Sequence, residues 1–119
     1  MKNTLILGAS CNSSRYSNKA MHLLNDYDHQ TYCLGAHETQ CRKFKISNRW
    51  PQNENFHTVS IYLNAINQEM YYDLLLQLKP NRVIFNPGSE NETLYALLSN
   101  EAIYYIEACT LVMLRTGVY

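Results

Sequence analysis

The 119-residue sequence has no excess of charge of either sign: ten Lys and Arg balance ten Asp and Glu. That excludes the broad basic field that draws proteins to nucleic acid or anionic lipid, so an anionic ligand has to be caught locally. Long apolar runs are also missing, because Asn, Gln and charged residues interrupt every stretch well short of the roughly 20 residues that span a bilayer. The apolar part of Met1-Lys2-Asn3-Thr4-Leu5-Ile6-Leu7 is too short for a signal peptide. The chain therefore reads as cytoplasmic, with neither a membrane nor a nucleic acid as partner.

Glycine is scarce, with four in the chain, and no Gly-x-Gly-x-x-Gly dinucleotide fingerprint occurs. Four cysteines, Cys11, Cys33, Cys41 and Cys109, include no Cys-x-x-Cys pair. A domain of this size can bury a core without staples, so free thiols are expected. His29, Cys33, His37 and Cys41 recur every fourth residue, as zinc ligands on a helix would. Thr31-Tyr32-Cys33-Leu34 favours a strand instead, and Gly35 interrupts a helix. On a strand, residues four apart lie about 13 Å from one another, too far for one tetrahedral ion, and no metal site is expected.

What is present is the balance of one compact domain over residues 1–119, with 46% hydrophobic and 17% charged residues. Thr4 to Leu7 is a short apolar run ended by Gly8, as in a strand buried on both faces. Ala20, Leu23, Leu24 and Tyr27 then fall on one face of a helix that starts at Tyr16 and ends near Asn25-Asp26. Gln30 to Leu34 predicts a second strand, and Lys43 to Ile46 a short edge extension. Asn48 to Asn55 is loop-like. His57 to Leu63 predicts a third strand, and Ile66, Met70, Leu74 and Leu78 one face of a helix stopped by Pro80. Arg82 to Phe85 and Ile103 to Ile106 predict two more strands around a helix marked by Leu94, Leu97 and Leu98. Alternation of this kind implies an α/β domain with a doubly wound, mostly parallel sheet of about five strands and helices on both faces.

In such sheets ligands bind beyond the carboxyl ends of the strands. There Gly8 permits a sharp turn and a close approach, while Ala9 and Ser10 keep bulk away. Ser13, Ser14 and Ser17 place hydroxyls at the start of the first helix, whose free N–H groups carry a partial positive charge. Arg15 adds a cation that can fork to phosphate oxygens. These residues describe an anion site of the helix N-terminus type, and equally an ordinary turn with a serine cap and a solvated arginine.

Three blocks in order resemble the small CoA-binding proteins of bacteria and archaea. They are Leu5-Ile6-Leu7-Gly8-Ala9-Ser10 with Arg15-Tyr16-Ser17, then Arg82-Val83-Ile84-Phe85-Asn86-Pro87-Gly88, then Glu107-Ala108-Cys109-Thr110-Leu111-Val112-Met113-Leu114. The resemblance implies a Rossmann-like three-layer fold, similar to the amino-terminal domain of the succinyl-CoA synthetase alpha subunit, and coenzyme A (CoA) as ligand. It implies that Gly8, Ala9, Ser10, Arg15, Tyr16 and Ser17 cradle the CoA phosphates. Gly35 to His37 would flank the ribose and its phosphate, Tyr62, Leu63 and Asn64 the adenine, and Asn86, Pro87 and Gly88 the pantetheine arm.

Two segments depart from the family's pattern. Ala36-His37-Glu38 replaces a proline followed by basic or glycine-rich residues, so that Arg42 or Lys43 would have to meet a ribose phosphate. Leu63-Asn64-Ala65 replaces an Arg-Pro ending. The histidines His22, His29, His37 and His57 match nothing catalytic in the family, and Cys109 is expected to be a small buried hydrophobe. No catalytic residue is assigned. The expected function is noncovalent binding of CoA or an acyl-CoA. The alternatives are an NAD-type dinucleotide module, which Glu38 favours, and an interaction domain that has lost its ligand. A homo-oligomer or a protein partner stays open.

Overall fold

A computed structural model describes residues 1–119. The chain runs β1 (Thr4–Leu7), α1 (Tyr16–Asp26), β2 (Thr31–Leu34), β3 (Thr39–Cys41), β4 (Phe44–Ser47), β5 (Thr58–Ile61) and α2 (Ala65–Gln68). A 3-10 turn (Glu69–Tyr71) leads to α3 (Tyr72–Leu78), β6 (Arg82–Phe85), α4 (Glu92–Asn100), β7 (Tyr104–Glu107) and α5 (Thr110–Arg115). The strands form one sheet in the order β3-β4-β2-β1-β5-β6-β7. Every pairing is parallel except that of β3 with β4. No helix is long and apolar enough to cross a membrane.

Alternation along the central strands divides the core in two. Leu5, Leu7, Val59, Ile61, Val83 and Phe85 face Leu75 of α3 and Leu94 and Leu98 of α4. Ile6, Cys33 and Ile84 face the other way, against Ala20, Met21 and Leu24 of α1 and Leu111, Met113 and Leu114 of α5. Strands covered on both faces read as continuous apolar runs, which is why β1 is wholly buried. Each fully buried Leu or Ile contributes about 1.5–3 kcal/mol. The result is the α/β, Rossmann-like three-layer architecture.

The sheet has seven strands rather than about five. Both additions come from the segment after Gly35. β4 buries Phe44 and Ile46 and pairs with β2, while β3, with exposed Thr39 and Gln40 and half-buried Cys41, pairs only with β4. An edge strand of three residues buries too little to leave an apolar signal.

The apolar face predicted for residues 66–78 also differs. Ile66 and Met70 are 77% and 74% exposed, and the helix breaks into α2, the 3-10 turn and α3. Gln68 points inward instead, fully buried, donating to the carbonyls of Leu63 and Ser89 at 2.8 Å each. Its Oε1 accepts from Asn91 Nδ2 at 2.8 Å. Satisfying this buried amide turns the opposite face, with Ile66 and Met70, to solvent.

Contrary to the expectation of free thiols, Cys11 and Cys41 are joined in a disulfide, with Cα atoms 5.5 Å apart. Cys33 and Cys109 are free. Thirty residues separate the bridged pair, and the folding of β3 against β4 brings them together, which no local spacing reveals.

Candidate functional site

The chain leaves β1 for β2 on one side and later returns to place β5 on the other side of β1. Connections depart in opposite directions there, which opens a crevice at the carboxyl ends of β1 and β5. Gly8 occupies that point with φ +99°. A Cβ on it would stand 3.1 Å from Leu63 Cδ2 and 3.2 Å from the Tyr62 carbonyl carbon, so only glycine lets the two loops meet.

From Gly8 the loop is pinned at both ends. The N–H groups of Gly8 and Ala9 donate to the Leu34 carbonyl at 2.9 Å, and Asn18 Nδ2 donates to the Ser10 carbonyl at 2.9 Å. Between them Asn12 Oδ1 accepts from the N–H and the hydroxyl of Ser14, at 3.0 and 2.7 Å. Arg15 is the N-cap of α1 and supplies no side-chain acceptor. No side chain caps the first turn of α1: the Asn18 N–H donates to the Arg15 carbonyl at 3.1 Å, and the N–H groups of Tyr16 and Ser17 are left without a capping partner.

These elements border a cleft of about 910 Å³. Its lining includes Gly8, Ala9, Ser10, Arg15, Tyr16, Ser17, Tyr62, Leu63, Asn64, Asn86, Pro87 and Gly88, all expected from the sequence and drawn from the ends of three strands and the start of α1. Ser13, Ser14, Gly35 and His37, also expected there, lie outside it. Ser14 spends its hydroxyl inside the loop. Gly35 packs beneath it, where a Cβ would stand 2.8 Å from the Ala9 carbonyl oxygen and 2.7 Å from Ile46 Cγ2. His37 is exposed on the connection to β3, and its neighbour Ala36 is the one that reaches the cleft.

Asn86 forms the floor. It is 2% exposed. Its Nδ2 donates to Ser60 Oγ and to the Ile61 carbonyl, at 2.9 Å each, and its Oδ1 accepts from the Thr110 N–H at 2.8 Å. One amide thus clamps β5, β6 and the start of α5, and it is committed to the protein rather than offered to a ligand. Tyr62 forms part of the wall, with its hydroxyl buried beside Ser60 and Thr110 and without a hydrogen bond. Burial pushes that phenol up to about 12, so it stays neutral.

Six further residues line the cleft: Ala36, Asn67, Cys109, Leu111, Val112 and Arg115. Cys109 is half-buried at the wall rather than deep in the core. Arg115 is the most consequential addition. It lies three residues after Val112 on α5, so both point the same way, but a six-residue helix is too short for its face to show in the sequence. Arg15 and Arg115 are the only charged side chains among the 18 lining residues. In a chain of zero net charge, the cleft is a local cationic spot with no carboxylate opposing it. Arg42 and Lys43 do not line it, and Lys43 borders a separate groove with Gln30, Thr31 and Asp28.

The model of the CoA binding domain family matches residues 2–115, nearly the whole chain. The chain belongs to the CoA-binding domain family. A crystal structure of an uncharacterized protein is 42% identical, with a TM-score of 0.95, over 100% of this chain and 98% of that one. Two more distant structures show the fold alone. A Thermus thermophilus protein is 13% identical with a TM-score of 0.85, over 99% of this chain and 91% of its own. A hypothetical protein from Pyrococcus horikoshii OT3 is 14% identical with a TM-score of 0.81, over 96% and 82%. No curated protein matches the sequence. As a member of the CoA-binding domain family, the chain has CoA-related binding as its functional class.

Proposed function

We propose that the cleft holds coenzyme A or an acyl-CoA noncovalently and that the chain brings no catalytic machinery of its own to it. The observation that carries this reading is the charge of the cleft: two arginines and no acidic residue. The CoA phosphates would sit over the uncapped start of α1, where backbone N–H groups and the helix dipole favour an anion. Arg15 and Arg115 would add charge-assisted hydrogen bonds to them. The positive φ of Gly8, +99°, turns the chain off β1 so that the loop before α1 would wrap the diphosphate. Leu63, Leu111 and Val112 offer apolar contact to the rest of the ligand, and about 910 Å³ is ample for a molecule of this class.

Tyr62 is held as a neutral phenol, and no histidine or carboxylate lines the cleft. A cleft that holds its ligand without such an acid–base pair, with the free thiol of Cys109 at its wall, fits a carrier, sensor or regulatory role. The dinucleotide reading rested on Glu38, which is exposed and outside the cleft lining.

Calorimetric titration with CoA, dephospho-CoA and NAD tests the proposal. CoA is expected to bind most tightly, and a preference for NAD overturns the reading. Mass spectrometry of the purified protein under native conditions would detect CoA carried through purification.

A further inference from the structure

The Cys11–Cys41 bridge joins the loop that precedes α1 to the edge strand β3. Gly8, Ala9 and Ser10 are tied to the body by the Leu34 carbonyl and by Asn18. From Cys11 to Ser14 the position is different: every hydrogen bond is internal to the loop. Asn12 N–H donates to Ser10 Oγ, Ser14 donates twice to Asn12 Oδ1, and the Asn12 carbonyl accepts from Arg15 N–H. The bridge supplies the tie that these hydrogen bonds do not make between this stretch and the remainder of the fold. Its other end, β3, pairs only with β4.

Cys11 is exposed, whereas Cys41 is half-buried against the α1 side of the core. Exposed disulfides are the ones that exchange readily with external thiols. We propose that Cys11–Cys41 is a thiol-exchange site whose substrate is a dithiol reductant, and that its oxidation state sets the order of the ligand loop.

The step balances as follows. A thiolate of the reductant attacks the accessible Cys11 Sγ, the bond to Cys41 breaks, and Cys41 leaves as a thiolate that takes a proton from water. The second thiolate of the reductant attacks its own sulfur in the mixed disulfide and releases the Cys11 thiolate, which is protonated in turn. The protein gains two electrons and two protons, and the reductant becomes a disulfide. Release of the bridge loosens residues 11–14, which connect the cleft-lining Ser10 and Arg15, so affinity falls by the entropy of fixing that connection when the ligand binds.

Only the affinity arm of the test rests on the CoA reading. Hydrogen exchange of amides 8–16 is measured without ligand, before and after treatment with dithiothreitol. Acetyl-CoA, whose thiol is blocked, is titrated into both forms. Reduction is expected to speed exchange in residues 11–15. It should weaken acetyl-CoA by at least about fivefold, the equivalent of ordering one residue of backbone. A Cys11→Ser/Cys41→Ser variant should match the reduced protein and ignore dithiothreitol. If that variant fails to fold, the oxidised and reduced wild-type forms carry the same comparison. A bridge that resists dithiothreitol in the folded protein, or exchange that is equal in the two forms, overturns the proposal. If acetyl-CoA binds neither form while exchange still responds, the CoA reading fails and the thiol-exchange site stands.

Discussion

Replacing Asn86 by alanine is expected to destabilise the protein severely for a residue at a cleft. The substitution removes three side-chain hydrogen bonds of 2.8–2.9 Å that join β5, β6 and α5. The Ile61 carbonyl keeps a longer bond from the Asn86 backbone N–H at 3.3 Å, and Ser60 Oγ keeps Thr110 Oγ1 at 2.7 Å. The Thr110 N–H, in a fully buried residue, is left with nothing. An orphaned buried donor costs about 1–3 kcal/mol and each of the two other lost bonds about 0.5–1.5, so a total of about 2–6 kcal/mol is expected. For a chain of this length that is a fall in Tm of roughly 8–24 °C. Urea unfolding followed by far-UV circular dichroism would read it as a lower midpoint at unchanged slope. A loss below about 1 kcal/mol would refute the view that this amide clamps the floor. Asn86→Asp sharpens the test. It can still accept from Thr110 but turns a carboxylate toward the Ile61 carbonyl, so its instability should lessen as acid protonates the new group.

Four further outcomes are expected. Arg15→Ala should weaken CoA by about 1.5–3 kcal/mol, the worth of a hydrogen bond to a charged group, and an unchanged affinity by calorimetry would move the phosphates elsewhere. Arg115→Ala should weaken CoA in the same sense, while both variants, altered at exposed positions, keep the wild-type unfolding midpoint within about 0.5 kcal/mol. Gly8→Ala should cost about 1–2 kcal/mol of stability, because φ +99° suits no Cβ and the new methyl presses on Leu63; a neutral result in urea would refute the close approach.

The fourth concerns pH. Burial first, then the charges of the N-terminal ammonium, Lys2 and Arg82, lower the pKa of His29, and burial followed by Arg82 and Lys2 lowers that of His57. His29 Nδ1 also accepts from the Lys2 N–H at 2.9 Å, which requires that nitrogen to be unprotonated. The unfolded chain takes up these protons first, so their contribution is full above about pH 6.5 and is lost as pH falls below it. Urea midpoints at pH 7.5 and 5.5 would show the drop, and His29→Gln should reduce it.

Much of the fold is legible because its information is local. Apolar runs such as Thr4 to Leu7, ended by Gly8, carry the strand period in four residues, and Ala20 and Leu24 carry that of α1. The region around residues 66–78 misleads for the opposite reason. Ile66 and Met70 are apolar at helical spacing, yet a buried Gln68 with three hydrogen bonds outweighs them. β3 is invisible in advance because its residues bury almost nothing, and only the partner β4 makes it a strand.

The candidate cleft divides along the same line. The order of residues alone determined a glycine turn followed by an arginine-led helix after the first strand, and with it a place where an anion could sit, because turn chemistry and helix polarity are properties of neighbouring residues. Tertiary structure decided the rest. It set Arg115 of α5 in the same cleft as Arg15, placed Gly35 beneath the loop, turned Asn86 inward as a clamp, and brought Cys11 to Cys41. Each of these depends on which segments the sheet brings side by side across about 24 to 100 residues of sequence, a distance over which no local pattern extends.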